Sequence, residues 1–391
     1  MWNVQIGDVT EIDLECTTFC NLKCPECNRT TDKDVISSIL NTSHITLENC
    51  RTWFKPTELT SLKEIRFCGA IDEALMNPEL TDILDFFLDE FKIKYIDIRT
   101  NGSVRSTEWW SNFVNHLPSN HIIVFGLDGL EDTNHIYRVG AKWEKIINNA
   151  KAFIDAGGIA SWQFIEFEHN KHQIEEAKQL AKELGFKEFR LVSSTRPTMT
   201  ESLEHIRKDN KVSARSNRVP EKKEVILSDK KESEEETMVP CSTSKPKKPV
   251  QELVLIRKKT KKQKTVIRCE NQGHGNGNRI LVNALSQVVP CCFLNGYFHQ
   301  PYAHNKNPEN ITKPAFSFYE DPRLAKLLRE YGDSENELTA MSLEHHTLKE
   351  VLAGEFFAEI QDSWTTNDPI ERCLEVCGKA IKDEINEEFF E

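Results

Sequence analysis

The chain has 391 residues, with 50 Lys+Arg against 62 Asp+Glu for a formal charge of −12, and 38% of the residues are hydrophobic. That composition supplies enough apolar mass for one large core and a smaller one, and it excludes a wholly disordered chain or a coiled coil. No apolar run reaches the ~18 residues that a membrane span needs, and residues 1–16 have neither the basic start nor the apolar stretch of a signal peptide, so a cytoplasmic protein is expected.

Residues 11–16 alternate apolar and polar (Ile12, Leu14, Cys16), which predicts a half-buried strand. Residues 62–68 read as a second strand, and Leu80, Ile83, Leu84, Phe87, Leu88 and Phe91 mark a helix by their spacing of three and four. A strand over 95–100 ends at Asn101-Gly102, a helix follows from Thr107 towards Leu117, and a strand over 121–127 ends at Asp128-Gly129. Trp143, Ile146, Ile147, Ala150, Phe153 and Ile154 form the next helical stripe, closed at Gly157-Gly158. Residues 160–167 predict a strand, 173–184 a helix capped by Gly185, and 189–192 a sixth strand. Six strands alternating with helices call for parallel βαβ units, and a succession this long closes most naturally into a whole or partial barrel. No G-x-G-x-x-G follows the first strand to favour a doubly wound sheet.

Residues 196–265 break the pattern, with 19 Lys+Arg, 11 Asp+Glu and almost no aromatic residue. Such a segment cannot bury enough surface to offset its ordering entropy, so a charged, flexible insert is expected. It reads either as a solvated linker or as an arm for nucleic acid or an acidic partner. Beyond it, a Gly/Asn-rich turn precedes a plausible hairpin of 280–282 with 288–289, residues 320–362 look helical, and 368–378 returns two cysteines.

Twelve cysteines in a chain expected to be cytoplasmic point to metal ligation or redox chemistry rather than disulfides. Six lie at or before Cys68 and six at or after Cys241, which suggests two separate metal sites. The sharpest feature is Cys20-Asn-Leu-Lys-Cys24-Pro-Glu-Cys27, directly after the first strand. Three thiolates on one loop can converge on one iron–sulfur cube and leave its fourth iron open. A closed zinc site would more often show two C-x-x-C pairs.

This C-x3-C-x2-C trio at the start of a βα array resembles the radical S-adenosylmethionine (SAM) superfamily, over roughly residues 11–192. The resemblance implies a partial (β/α)6 barrel over residues 1–195 and a [4Fe–4S] cluster held by Cys20, Cys24 and Cys27. It also implies SAM chelated at the open iron and reductive cleavage to a 5′-deoxyadenosyl radical. Cys68-Gly69-Ala70-Ile71-Asp72-Glu73 stands where that family has a Gly-Gly-Glu-Pro-like segment for the SAM ammonium; Gly69 and either Asp72 or Glu73 match, and Ala74 replaces the proline. Asn101-Gly102-Ser103, Gly126-Leu127-Asp128-Gly129 and Arg138 resemble further SAM-facing positions, and each also fits an ordinary turn or ion pair.

Cys269, the Pro-Cys pair at Cys291 (with Cys292 as its substitute), Cys373 and Cys377 are similar to the SPASM/twitch extension of that superfamily. This implies a smaller C-terminal α+β iron–sulfur domain over 266–391 with one auxiliary [4Fe–4S] cluster. Ser286 departs from the family's glycine five residues before the second cysteine, and Cys241 lies in the insert. Structural zinc at the late cysteines is the other reading. The resemblance implies hydrogen abstraction from a peptide or protein substrate and an electron donor such as flavodoxin or ferredoxin. RNA modification through the basic insert is the second enzymatic expectation, and a non-catalytic metal-binding scaffold the third. No catalytic acid, base or quenching residue is singled out.

Overall fold

The computed structural model describes residues 5–25, 27, 42–67, 71–193, 265–267, 278–291, 294–295, 323, 326–327, 330, 339–364, 370, 373 and 378–380. Six parallel strands, β1 (Val9–Leu14), β2 (Glu64–Phe67), β3 (Tyr95–Thr100), β4 (His121–Gly126), β5 (Ala160–Glu166) and β6 (Glu188–Ser193), pair in chain order. Between them run α1 (Leu47–Trp53), α2 (Leu80–Phe91), α3 (Thr107–Phe113), α4 (Asn134–Tyr137), α5 (Trp143–Asp155) and α6 (Ile174–Glu183). A consecutive order without reversal is that of a partial (β/α)6 barrel, whereas a doubly wound sheet reverses at a switch point. The α/β class and the six strands agree with the periodicity of the sequence.

A two-stranded ribbon pairs β7 (Thr265–Ile267) with β10 (Gly378–Ala380) antiparallel. The hairpin expected around 280–289 forms as β8 (Asn278–Val282) and β9 (Val288–Val289), which pair antiparallel. It extends the main sheet, because β8 lies parallel to β1 with Ile12 opposite Ile280 and Leu14 opposite Val282. Ser286, in the turn of that hairpin, has φ +64, the left-handed conformation that favours glycine. Two later helices, α7 (Leu348–Ala353) and α8 (Glu355–Ser363), lie in the 320–362 stretch, α8 running one residue past its end. Thr347 and Glu350 cap α7 reciprocally, with Thr347 N–H donating to Glu350 Oε2 (2.8 Å) and Glu350 N–H to Thr347 Oγ1 (3.2 Å). Among the described residues no helix is long and apolar enough to cross a membrane.

Alternation along the strands separates two faces. Ile12, Leu14, Ile65, Phe67, Ile96, Ile98, Ile123, Phe125, Trp162 and Phe164 share one core with the inner stripes of α2, α3, α5 and α6. Aromatic contacts knit that core, such as Trp110 on Phe125 at 5.1 Å and Phe54 on Phe87 at 5.4 Å between ring centres. Leu348, Val351, Leu352, Phe356, Phe357 and Ile360 of α7 and α8 belong to the same core.

The other face is charged. Register lines up Glu11, Glu64 and Tyr95 in one row across β1, β2 and β3, and Asp13, Arg66 and Asp97 in another. Arg66 Nη1 lies 3.1 Å from Glu11 and its Nη2 2.9 Å from Asp97, while Arg279 of β8 also pairs with Glu11. Glu11 and Asp97 are buried, so these pairings are what makes their desolvation tolerable.

Candidate metal and cofactor site

The six strands are parallel, so their carboxyl ends lie at one end of the sheet, where active residues of such folds gather. The first is the thiol loop. Beyond β1 the chain turns at Thr17, whose hydroxyl accepts from Phe19 N–H at 3.1 Å. The loop is then pinned by Lys23 N–H donating to Val139 C=O at 2.9 Å and by Cys27 N–H donating to Cys24 C=O at 3.1 Å. Leu22 and Cys24 are buried with Tyr137 and Phe167, and Cys20 and Cys27 pack against that cluster. The three cysteines therefore share one small apolar cluster. Among the described residues no three His, Cys, Asp or Glu side chains are gathered for a single metal ion. A cube differs in that each thiolate ligates its own iron, and the soft, three-sulfur donor set fits a [4Fe–4S] cluster.

The turn after β2 brings Asp72 and Glu73. Glu73 is buried, its N–H donates to Phe19 C=O at 2.9 Å, and its carboxylate accepts from Thr100 Oγ1 and from Asn101 N–H, both at 2.7 Å. Burial raises its pKa, opposed by those hydrogen bonds. After β3, Asn101 bridges to the thiol loop: its Nδ2 donates to Asn21 Oδ1 at 3.0 Å and lies 4.0 Å from Cys20 Sγ. Ser103 closes the turn, with its N–H donating to Asn101 Oδ1 at 2.9 Å and its hydroxyl accepting from Asn21 Nδ2 at 2.8 Å.

After β4, Asp128 is wholly buried and accepts from Ile165 N–H (2.7 Å) and from Arg138 Nε (2.7 Å). Burial works against the charge on Arg138, but Asp128 and then the Cys24 and Cys27 sulfurs outweigh it and hold the guanidinium firmly protonated. Arg138 thus meets Asp128 inside the protein, facing the thiols, rather than a partner on the surface.

One residue here has no counterpart in the sequence reading. His169, just past β5, stacks on Phe167 with ring centres 5.4 Å apart and planes 13° apart. Both its ring nitrogens are shielded from solvent without a hydrogen bond. Burial lowers its pKa, opposed by Asp128. The one signal was its place, a histidine directly beyond the carboxyl end of a strand.

The other cysteines divide. Cys16 and Cys50 are fully buried in the core, and burial raises both thiol pKa values, for Cys16 together with Asp72 and for Cys50 with Glu79. They are inert packing groups. Cys291 opens the turn after β9 and Cys373 is buried at the edge of the main core. Cys68, Gly69, Cys269, Cys292 and Cys377 lie outside the described residues, as do Cys241 and nearly all of the 196–265 insert.

No protein-family model matches the chain, and none of the curated proteins does. Among solved structures it is similar to SuiB of Streptococcus suis bound to S-adenosylmethionine, at TM-score 0.41 and 13% identity over 84% of this chain and 69% of that one. SuiB bound to the precursor peptide SuiA aligns at TM-score 0.36 and 18% identity, over 48% of this chain and 40% of that one. Native anSMEcpe with bound AdoMet aligns at TM-score 0.38 and 16% identity, over 47% and 51%. The chain thus spans from about 40% to about 69% of the length of these proteins.

Proposed function

We propose that this chain is a radical SAM enzyme whose Cys20, Cys24 and Cys27 hold a [4Fe–4S] cluster at the mouth of the partial barrel. The observation that carries the reading is the thiol loop at the carboxyl end of β1, with the polar turns after β2, β3 and β4 built around it. When bound, the cluster and SAM supply a 5′-deoxyadenosyl radical that removes hydrogen from a substrate.

The chain's own residues have separate tasks in this reading. Leu22, Tyr137 and Phe167 exclude water from the sulfurs. Arg138, held through its Nε by the buried Asp128, keeps its positive charge beside Cys24 and Cys27. Glu73 fixes the Asn101 turn by accepting from its backbone, and Asn101 and Asp72 present polar groups at the rim where the SAM amino and carboxylate groups would lie. Gly69 belongs to the same rim by sequence. Cys269, Cys291 or Cys292, Cys373 and Cys377 would hold an auxiliary cluster, and a peptide or protein between the two is the substrate class that the resemblance implies. A flavodoxin or ferredoxin would deliver the electron.

Anaerobic reconstitution tests this directly. The wild-type chain should bind iron and sulfide and, with dithionite, convert SAM to 5′-deoxyadenosine and methionine. Cys24→Ala should lose about four irons per chain and all cleavage, with iron at the late cysteines retained. Zinc in place of iron, or cleavage that survives Cys24→Ala, would overturn the reading.

A further inference from the structure

Glu15, one residue past β1, is 1% exposed, yet its carboxylate is claimed from two sides. Ile71 N–H donates to Oε1 at 3.3 Å and Asn295 Nδ2 donates to Oε2 at 2.8 Å. Its own N–H donates to Val282 C=O of β8 at 2.9 Å.

Each donor leads to a different set of thiols. Asn295, also buried, donates its N–H to Cys291 C=O at 3.1 Å, and its Oδ1 accepts from Asn283 Nδ2 at 3.2 Å. On the other side, Ile71 opens the turn that carries Asp72 and Glu73; Glu73 accepts from Asn101 N–H, and Asn101 Nδ2 lies 4.0 Å from Cys20 Sγ. These contacts, with the backbone from Ile71 to Glu73, therefore link Cys291 to Cys20 through one buried carboxylate. Such a group stays buried only while its donors stay in place, because each lost partner leaves a desolvated atom behind.

We propose that Glu15 is a positioning residue that couples the Cys291 turn to the Asp72–Glu73 turn and, through Asn101, to the Cys20 loop. Loosening either end turns the shared carboxylate and loosens the other. The coupling stands on these hydrogen bonds; its effect on a bound cluster rests on the proposed function.

Amide hydrogen exchange on the full chain, purified anaerobically, separates the two. Asn295→Leu should speed exchange at Ile71, Glu73 and Asn101 by about tenfold, as expected for a lost buried hydrogen bond, and leave β4 and β5 unchanged. A change confined to 278–295 would overturn the proposal. Should Asn295→Leu loosen β4 and β5 as well, Glu15→Gln decides, since it keeps the side chain's size and one acceptor. Faster exchange at both turns supports the coupling, and at one turn or neither refutes it. In iron-loaded protein, Asn295→Leu should also shift the electron paramagnetic resonance spectrum of the centre on the Cys20 loop, and an unshifted spectrum removes that consequence. A chain that takes up no iron defeats the functional reading while the exchange result still judges the coupling.

Discussion

At Gly126 an added Cβ would lie 2.7 Å from Arg138 Nη2 and 3.2 Å from its Cζ, so even alanine would push the guanidinium from its place. The arginine cannot simply swing aside, because its Nε is held by the buried Asp128. Gly126→Ala should therefore cost about 1–3 kcal/mol by overpacking, seen in a lower denaturation midpoint. The reconstituted variant should also retain less iron than wild type. Asp128→Asn addresses the same pair from the other side. It leaves Arg138 without its countercharge, a loss of about 3–5 kcal/mol for a broken buried ion pair, and unfolding in urea should show it. At this scale the sequence was half legible. Asp128 and Arg138 were both singled out, but nothing local says that they meet each other, since the contact depends on how the α4 turn folds back over β4.

Within the sheet, β2 carries the most testable charge. The Glu64 carboxyl is pushed up to about 7 by burial and by the neighbouring Glu11, against the pull of Arg66 and Arg279. A folded pKa above the unfolded value means that the native state holds the extra proton. Its stabilising contribution is complete below the unfolded value of about 4.3 and is lost as pH rises through about 7. Glu64→Gln should remove that slope, so urea midpoints of variant and wild type should diverge in the variant's favour between pH 5 and pH 8. Equal slopes would show that Glu64 ionises normally. The elements themselves were the most legible part of the chain: β3 spans residues 95–100 as its pattern predicts, and Leu80, Ile83, Leu84 and Phe87 of the α2 stripe are buried, with Leu88 and Phe91 packed partly buried against the core. The charged face of β1 was not. Glu11, Asp13 and Glu15 alternate with Ile12 and Leu14, a pattern that reads as one face in water, yet all three are buried. Polarity alone cannot tell solvent from the arginines of β2 and β8.

The whole molecule depends on a pairing that no local pattern announces. β1 lies between β2 and β8, and β8 lies beyond the 196–265 segment. The expected division at residue 195 leaves a fragment in which β1 has lost its β8 partner and Glu11 has lost Arg279. It also lacks the α7 and α8 side chains that share the main core. An open parallel edge with uncovered apolar surface invites association. Chain 1–195 should therefore run as aggregates in size-exclusion chromatography, whereas the full chain should not. A monodisperse, cooperatively folding fragment would show that the first six strands suffice. Local periodicity found β8 and β9 as a hairpin but could not place them, because a parallel partner from elsewhere in the chain leaves no mark in the strand's own pattern.

The central place of β1 also sets a clock. On a ribosome adding about 5–20 residues per second, the roughly 270 residues between β1 and β8 take on the order of 15–50 s to emerge. For that interval the nascent chain leaves open the edge of its first strand that β8 later covers. Until translation delivers β8, that edge is a free template for pairing with another chain.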